Sequence, residues 1–484
     1  MMKIKNILVT GSTGYVGGRL VPEILELGYN VRVFVRNPER LKNRAWYNKV
    51  DIFEGDVLKL DSLKNIFNGI DVAYYLIHSM SHYNNFEETD LKAADNFCIA
   101  AKESNLKKII YLGGLAGSSA TLSKHLLSRQ NTGNVLRESG IDITEFRAGV
   151  IVGSGSLSFE MIRNLSERIP VMICPKWIYT KTQPIAIVNI IEYLIETITI
   201  DIPKNQIFEI GGKDVLTYGD MIKVYSKIRK LKRFLIPVPV LTPALSSYWV
   251  HWTTPLSANI TRPLVQSLKN ESIVTNISAN KYFSNIKLIS YKKAVNTALE
   301  KLNKAIVETS WSDALSSSKG KDIIVDIQSI EGLIVEKRSV LVKNNEKNIF
   351  SYLLCLGGTN GWLYGNFLWI IRGYIDLLVG GVGLRRGRRN PTELKQGDAL
   401  DFWRVEKISL NKLIRLKAEM KLPGNAWLQY EIIPINNQQC ELIQSAYFAP
   451  KGLGGLAYWY ILYPIHKIIF SGLINTINKN IGKI

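Results

Sequence analysis

A chain of 484 residues is long enough for two to three domains. Hydrophobic residues at 46% and charged residues at 21% are ordinary globular values, which exclude disordered, collagen-like and disulfide-scaffold chains. Lys+Arg is 61 against Asp+Glu 41, so the net charge is +20; no nucleic-acid motif accompanies it, and it reads first as a solvated basic surface, with attraction to an anionic membrane as the alternative.

Cys98, Cys174, Cys355 and Cys440 lie far apart and the five histidines are scattered, so neither a metal centre nor a disulfide framework is expected. The reduced cytoplasm is the expected compartment, with peripheral attachment at the inner face of the membrane. The opening MMKIKNILVTG runs straight into a strand pattern, so no signal peptide is expected. Apolar stretches at 234–250, 364–384 and 456–474 are each broken by proline or charge, so no transmembrane helix is expected.

Residues 5–10 (KNILVT) predict a buried strand, followed by a glycine turn and a helix ending at Leu27, with Gly28 as its stop. Further strands are expected at 30–35, 50–54, 71–77, 108–112 and 141–147, with a helix over 87–104. Short apolar strands alternating with helices predict a parallel sheet covered on both faces, the doubly wound α/β Rossmann arrangement. Residues 202–305 read as a substrate-side extension of this first domain, which spans 1–305. Residues 306–328, holding SWSDALSSSKGKD, read as a linker. Over 329–484 the texture changes to a strand at 335–342, a short helix at 346–355, several strands within 401–447 and a long helix at 455–481 containing Pro464. That order predicts an α+β domain with an antiparallel sheet.

The strongest motif is Thr10-Gly11-Ser12-Thr13-Gly14-Tyr15-Val16-Gly17, between the first strand and the first helix. Gly11 allows a tight turn, Gly14 lets backbone approach a pyrophosphate, and Gly17 lets helix pack on sheet. Helix-start amides then face the anion. The second strand ends in Val35-Arg36-Asn37, with no acid for ribose hydroxyls. Arg36 suits a 2′-phosphate, which favours NADP over NAD. Asp56 and Val57 follow the third strand, where they can reach an adenine edge or simply form a turn. Leu76 and Ile77, ending the fourth strand, are counted with the cofactor-binding residues.

TGSTGYVG, VFVRNPER and EGDV together resemble the short-chain dehydrogenase/reductase superfamily, in its extended or atypical NmrA-like branch. The resemblance implies a Ser, Tyr, Lys triad, with Tyr and Lys one helical turn apart. The matching positions here are Gly113, His125 and Arg129. His125 can transfer a proton near neutrality, and Arg129 can hold a ribose or phosphate but cannot act as a base. Ser118, Ser119 and Ser123 are the nearest hydroxyls in sequence, and Tyr111 is expected to pack beside the cofactor. The segment 183–186 (QPIA) corresponds to one that passes over the nicotinamide end in extended members, and Asn189 stands where many relatives carry Asp.

LCLGGTNGW, LWIIRGYIDLLVGGVGLRRGRRNP, LKQGDALDFWRV, LKAEMKLPGNAWLQYEI and FAPKGLGGLAYWYILYPIHKIIF resemble the domain of unknown function numbered 2867. The element order resembles the Bet v 1/START-like (SRPBCC) helix-grip fold, which implies an apolar cavity. Trp362, Trp369, Trp403, Trp427 and Trp459 are its candidate lining, with ordinary core packing as the alternative. Arg385, Arg386, Arg388 and Arg389 form a cationic turn for a phosphate, a lipid headgroup or the other domain, or a salt-bridged loop. Arg372 and Asp376 are expected to pair within a helix.

The expected function is therefore an NADP(H)-binding oxidoreductase acting on an apolar, lipid- or quinone-like carbonyl or enone. The alternative is a non-catalytic NADP(H)-binding sensor or assembly module that has lost the triad. A lipid carrier with a structural nucleotide is a third reading. No nucleic-acid partner is expected.

Overall fold

The structure, a computed structural model, describes residues 4–41, 44–78, 86–117, 122–238, 266–303, 326–330, 332–358, 361–383 and 392–481. The chain divides into two compact units, the first ending its main span at Lys301 and the second holding everything described from Asp326 onward. Most of the stretch read as a linker lies outside the described residues.

The first unit is built on seven strands: β1 (Asn6–Thr10), β2 (Asn30–Val35), β3 (Asp51–Glu54), β4 (Val72–Tyr75), β5 (Lys108–Gly114), β6 (Asp142–Ala148) and β11 (Gln206–Ile210). They lie in the order β11-β6-β5-β4-β1-β2-β3, and every neighbouring pair is parallel. This is a Rossmann-like sheet. Residues 206–210, read from the sequence as part of an extension, are its seventh strand. Its pairing partner β6 is more than fifty residues earlier, so no local pattern marks the pairing.

Successive side chains enter opposite faces. On one face Ile7, Val9, Val72, Tyr74 and Ile110 pack with Leu20 and Ile24 of α1 (Tyr15–Glu26) and with Ile190 and Leu194 of α5 (Ile187–Glu196). On the other, Leu8, Ala73, Tyr75 and Tyr111 pack with Ala93, Phe97 and Ala101 of α2 (Phe86–Lys102). α3 (Lys124–Glu138) follows β5, and α4 (Leu157–Arg168) and α6 (Tyr218–Arg229) pack together beyond β6. Short strands extend this end. β7 (Ile151–Val152) pairs with β10 (Ile185–Ala186), β9 (Lys181–Thr182) with β12 (Leu216–Thr217), and β8 (Val171–Cys174) with β13 (Phe234–Pro237). α7 (Ala279–Tyr282) and α8 (Tyr291–Asn303) complete the unit.

The second unit is an antiparallel seven-stranded sheet in the order β14-β15-β20-β19-β18-β17-β16. The strands are β14 (Asp326–Ile330), β15 (Leu333–Val342), β16 (Ala399–Leu400), β17 (Trp403–Ser409), β18 (Leu413–Ala418), β19 (Gly424–Asn436) and β20 (Gln439–Pro450). α9 (Glu346–Leu353) and α10 (Asn366–Leu378) lie between β15 and β16, and α11 (Gly452–Ile481) ends the chain. α11 packs against β15 and β20, with Pro464 inside it.

The five tryptophans serve core packing. Trp362 stacks on Trp369 at 4.6 Å and meets Trp403 at 6.3 Å, while Trp459 stacks on Phe448 at 5.4 Å. Trp427 is also buried and donates through Nε1 to Glu406. Arg372 and Asp376 do pair, at 3.7 Å. The cationic turn at 385–389 lies outside the described residues.

Candidate active site

Ligands of open parallel sheets bind at the carboxyl ends of the strands, where the strand order reverses. Here that point lies between β1 and β4. The Thr10 hydroxyl laces the two strand ends together, donating to the Tyr74 carbonyl at 2.9 Å and accepting the Leu76 amide at 3.2 Å. The glycine loop leaves β1 at this point. Gly11 has φ +70°, and a Cβ there would lie 2.5 Å from the Leu76 carbonyl oxygen. A Cβ on Gly17 would lie 2.9 Å from the Gly11 carbonyl carbon and 3.0 Å from Ser12 Cα.

Gly14 is the N-cap of α1, and no side chain caps that end. The first-turn amides are therefore available to an anion. Ser12 is fully buried, and its Oγ has no hydrogen-bond partner among the described residues. Thr13 and Val16 are half-buried along the same turn. Tyr15 lies under the Arg19 guanidinium, 4.8 Å from its ring centre. A bare glycine cradle with an unsatisfied buried hydroxyl fits a pyrophosphate.

Arg36 is exposed just beyond β2. The Gly55 amide donates to the Val35 carbonyl at 3.0 Å, which brings the 55–57 loop alongside. Asp56 is engaged as a turn former: its carboxylate accepts the Leu58 amide at 3.1 Å. Asn96 of α2 donates to the Val57 carbonyl at 2.9 Å. Leu76 and Ile77 are half-buried at the end of β4.

The next residue, His78, begins a connection the sequence reading missed. His78 Nδ1 lies 2.8 Å from Asp90 Oδ2, and His78 Nε2 lies 3.1 Å from His125 Nε2. Asp90 is buried on α2 and also accepts from the Ser128 hydroxyl at 3.3 Å. His125 is the second residue of α3. An ionised Asp90 makes His78 Nδ1 the donor, so His78 Nε2 must accept from His125 Nε2–H. His125 Nδ1 is then the open end of the chain, buried and without a hydrogen-bond partner among the described residues. Burial, then the neighbouring His78 and Arg129, hold the His125 imidazole well below its usual pKa. Burial also lowers His78, against the opposing hydrogen bond to Asp90.

The remaining triad positions hold other partners. Arg129 donates to the Leu112 carbonyl and lies 5.2 Å over the Tyr111 ring. The Tyr111 hydroxyl donates to the Arg129 carbonyl at 2.8 Å, and burial pushes its pKa up to about 12. A Cβ at Gly113 would lie 3.2 Å from Glu145 Oε1 and from the Tyr111 ring. Ser123 caps α3 by accepting the Leu126 amide at 3.3 Å, so its hydroxyl is engaged; Ser118 and Ser119 lie outside the described residues. Gln183 bridges the Gly212 carbonyl and the Val274 amide at 2.8 and 3.1 Å, and Asn189 clips the 287–289 segment, donating to the Lys287 carbonyl and accepting the Ile289 amide. Both have structural partners. A separate cleft of about 670 Å³ opens beside β8 and β13, lined in part by Tyr179, Lys223, Arg233 and Phe234, and includes none of the loop or imidazole residues.

The family described as NAD(P)H-binding matches residues 11–159, and the protein of unknown function family DUF2867 matches residues 333–473. The chain is an NAD(P)H-binding domain followed by a DUF2867 domain. The photosystem II assembly factor Ycf39 of Cyanophora paradoxa is 24% identical over 241 residues, 49% of this chain and 72% of that protein. Subunit 9 of the NADH dehydrogenase 1 alpha subcomplex of Arabidopsis thaliana is 23% identical, over 48% of this chain and 60% of its own length, less than two thirds. The crystal structure of Citrobacter sp. triphenylmethane reductase with NADP(H) is 19% identical, covers 60% of this chain and 99% of its own, and superposes with a TM-score of 0.50. That likeness carries the fold of the first unit.

A pH dependence follows from the two imidazoles. The folded pKa of each lies below the unfolded 6.5, so the unfolded chain binds more protons as pH falls through 6.5, and stability is lost in that direction. The slope approaches about 1.4 kcal/mol per pH unit for each imidazole kept neutral. His466 in the second unit, pushed down to about 4 by burial, acts in the same sense. The contribution of His125 is therefore read as a difference: thermal unfolding of His125→Phe between pH 7.5 and 5.5 should lose less stability than wild type. Identical slopes would contradict a neutral buried His125.

Proposed function

We propose that the chain is an NADP(H)-dependent reductase of short-chain type, in which an Asp90–His78–His125 chain replaces the tyrosine as proton carrier. The hydrogen-bonded imidazole pair, starting two residues beyond the Leu76 backbone that touches Gly11, carries this reading. The bound dinucleotide would supply hydride. The 11–17 loop with Ser12 would hold its pyrophosphate, Arg36 its 2′-phosphate, and Asp56 with Val57 its adenine edge.

With one extra proton on the chain, His125 Nδ1–H donates to the oxygen formed when a carbonyl or enone accepts hydride. Without it, the Nδ1 lone pair accepts a proton in the reverse direction. Proton shifts along the two hydrogen bonds return the charge to Asp90. An apolar lipid- or quinone-like substrate suits the second unit, read as a helix-grip ligand domain because its antiparallel sheet packs on α11. The basic composition and free cysteines support a cytoplasmic site of action at the inner face of a membrane.

A second reading, a non-catalytic NADP(H)-binding sensor or assembly module, is favoured by Gly113, which lacks a hydroxyl, and by Arg129, which is turned to the Leu112 carbonyl. The likeness to an assembly factor is compatible with it.

The cofactor assignment is tested by calorimetry on the full chain. NADPH should bind more tightly than NADH, because a charge-assisted contact from Arg36 contributes about 1.5–3 kcal/mol, or about 10- to 150-fold. Arg36→Ala should remove that preference. Equal affinities in the wild type would contradict the assignment to NADP(H).

A further inference from the structure

In the second unit, α10 (Asn366–Leu378) is inverted relative to an ordinary surface helix. Its only charged residues, Arg372 and Asp376, turn toward the protein. Asp376 is fully buried and accepts the Gly383 amide at 2.8 Å and the Lys421 amide at 2.6 Å. The solvent face carries Phe367, Ile370, Ile371, Tyr374, Ile375 and Leu378, exposed by 63, 38, 50, 66, 49 and 86%. Their spacing is one continuous helical stripe.

α11 lies alongside. Trp369 meets Phe470 at 6.4 Å between ring centres, and a Cβ on Gly365 would touch Ile469. This helix adds exposed Tyr460, Ile461, Ile465 and Ile468. Apolar surface of this extent marks an interaction site.

The charge around the stripe selects the partner. Neither helix contains an acid other than the buried Asp376, and no acid follows Glu441 in the sequence. Lys467 is exposed between Ile465 and Ile468, and the Lys421 ammonium would lie 3.4 Å from a Cβ on Gly380, just past the end of α10. In the sequence, Arg385, Arg386, Arg388 and Arg389 follow α10 with no acid before Glu393; they lie outside the described residues. Lysines set among apolar side chains extend to headgroup phosphates while their stems stay with the apolar face. Tyrosines favour the same boundary.

We propose that the exposed stripe of α10, with the adjoining face of α11, is a docking surface for an anionic lipid bilayer. A thirteen-residue helix is about 20 Å long, and it lies in the interface with its apolar side among the acyl chains. No helix among the described residues is long and apolar enough to cross a membrane, so attachment by this face is peripheral. The proposal does not depend on the nucleotide chemistry of the first unit.

The test is sedimentation of the full chain with phosphatidylcholine vesicles, with and without phosphatidylglycerol, at low and high salt. Wild type should bind the phosphatidylglycerol vesicles, and lose at least about tenfold in affinity without the anionic lipid or at high salt. The double variant Ile371→Glu, Leu378→Glu should also lose at least about tenfold, with an unchanged melting temperature, because both side chains are exposed. Leu410→Glu, equally exposed but between β17 and β18, should bind like wild type. No binding to anionic vesicles at low salt, or unimpaired binding by a folded double variant, would overturn the proposal. Self-association that the double variant abolishes, seen by light scattering without lipid, would assign the face to a second copy instead.

Discussion

His125→Phe should slow single-turnover oxidation of NADPH by a quinone or enone acceptor by about 10²–10⁴, with little change in NADPH affinity. The reason is the position of His125 at the open end of the imidazole chain, with Nδ1 buried and unpartnered among the described residues. A buried polar atom left unmet costs about 1–3 kcal/mol, and a substrate oxygen would meet that need. Tyr111→Phe should leave the rate nearly unchanged, because that hydroxyl is buried against the Arg129 carbonyl. His78→Phe should slow the reaction less than His125→Phe and shift its pH profile, because it removes the link to Asp90 but keeps the terminal imidazole. Lost NADPH affinity with an unchanged rate in His125→Phe would make this residue a cofactor contact. Unchanged rate and affinity would remove it from the site.

Gly17→Ala should weaken NADPH binding by about 10- to 100-fold, and lower the melting temperature of the first unit. The new Cβ would press on the Gly11 carbonyl and on Ser12 Cα, which are backbone atoms of the loop itself. Overpacking of this kind costs about 1–3 kcal/mol, and here the same displacement also deforms the anion cradle. Gly28→Ala is the control. Gly28 has φ +83° but open space around it, so that change should strain only a surface turn far along α1. Full NADPH affinity in Gly17→Ala would mean that the loop does not hold the pyrophosphate.

The six earlier strands of the first sheet and the glycine loop were legible because their signals are local. Apolar runs such as KNILVT and NVRVFV mark strands buried on both faces, and glycine spacing marks the turn that follows. β11 was not legible as part of the sheet, because its pairing to β6 spans a long crossover with helices of its own. His125 was found through its place in a family spacing. Its partners were not, because His78 and Asp90 stand 47 and 35 residues away and no motif joins them. Ser123 looked like a spare catalytic hydroxyl, whereas its position one residue before α3 makes it a helix cap. The apolar stripe of α10 shows a different limit. Periodicity reports that a helix has an apolar face, but whether that face meets the core or solvent is decided by the rest of the unit.

The most direct test of the function uses the full chain saturated with NADPH carrying deuterium at the transferable position of the nicotinamide. It is offered a short-chain quinone and an α,β-unsaturated ketone, and the products are read by mass spectrometry. Deuterium appearing in a reduced product, and delayed in His125→Phe under equal cofactor occupancy, is the expected result. A saturated wild-type protein that transfers no label to either acceptor would contradict the reductase and leave the chain as a nucleotide-binding module.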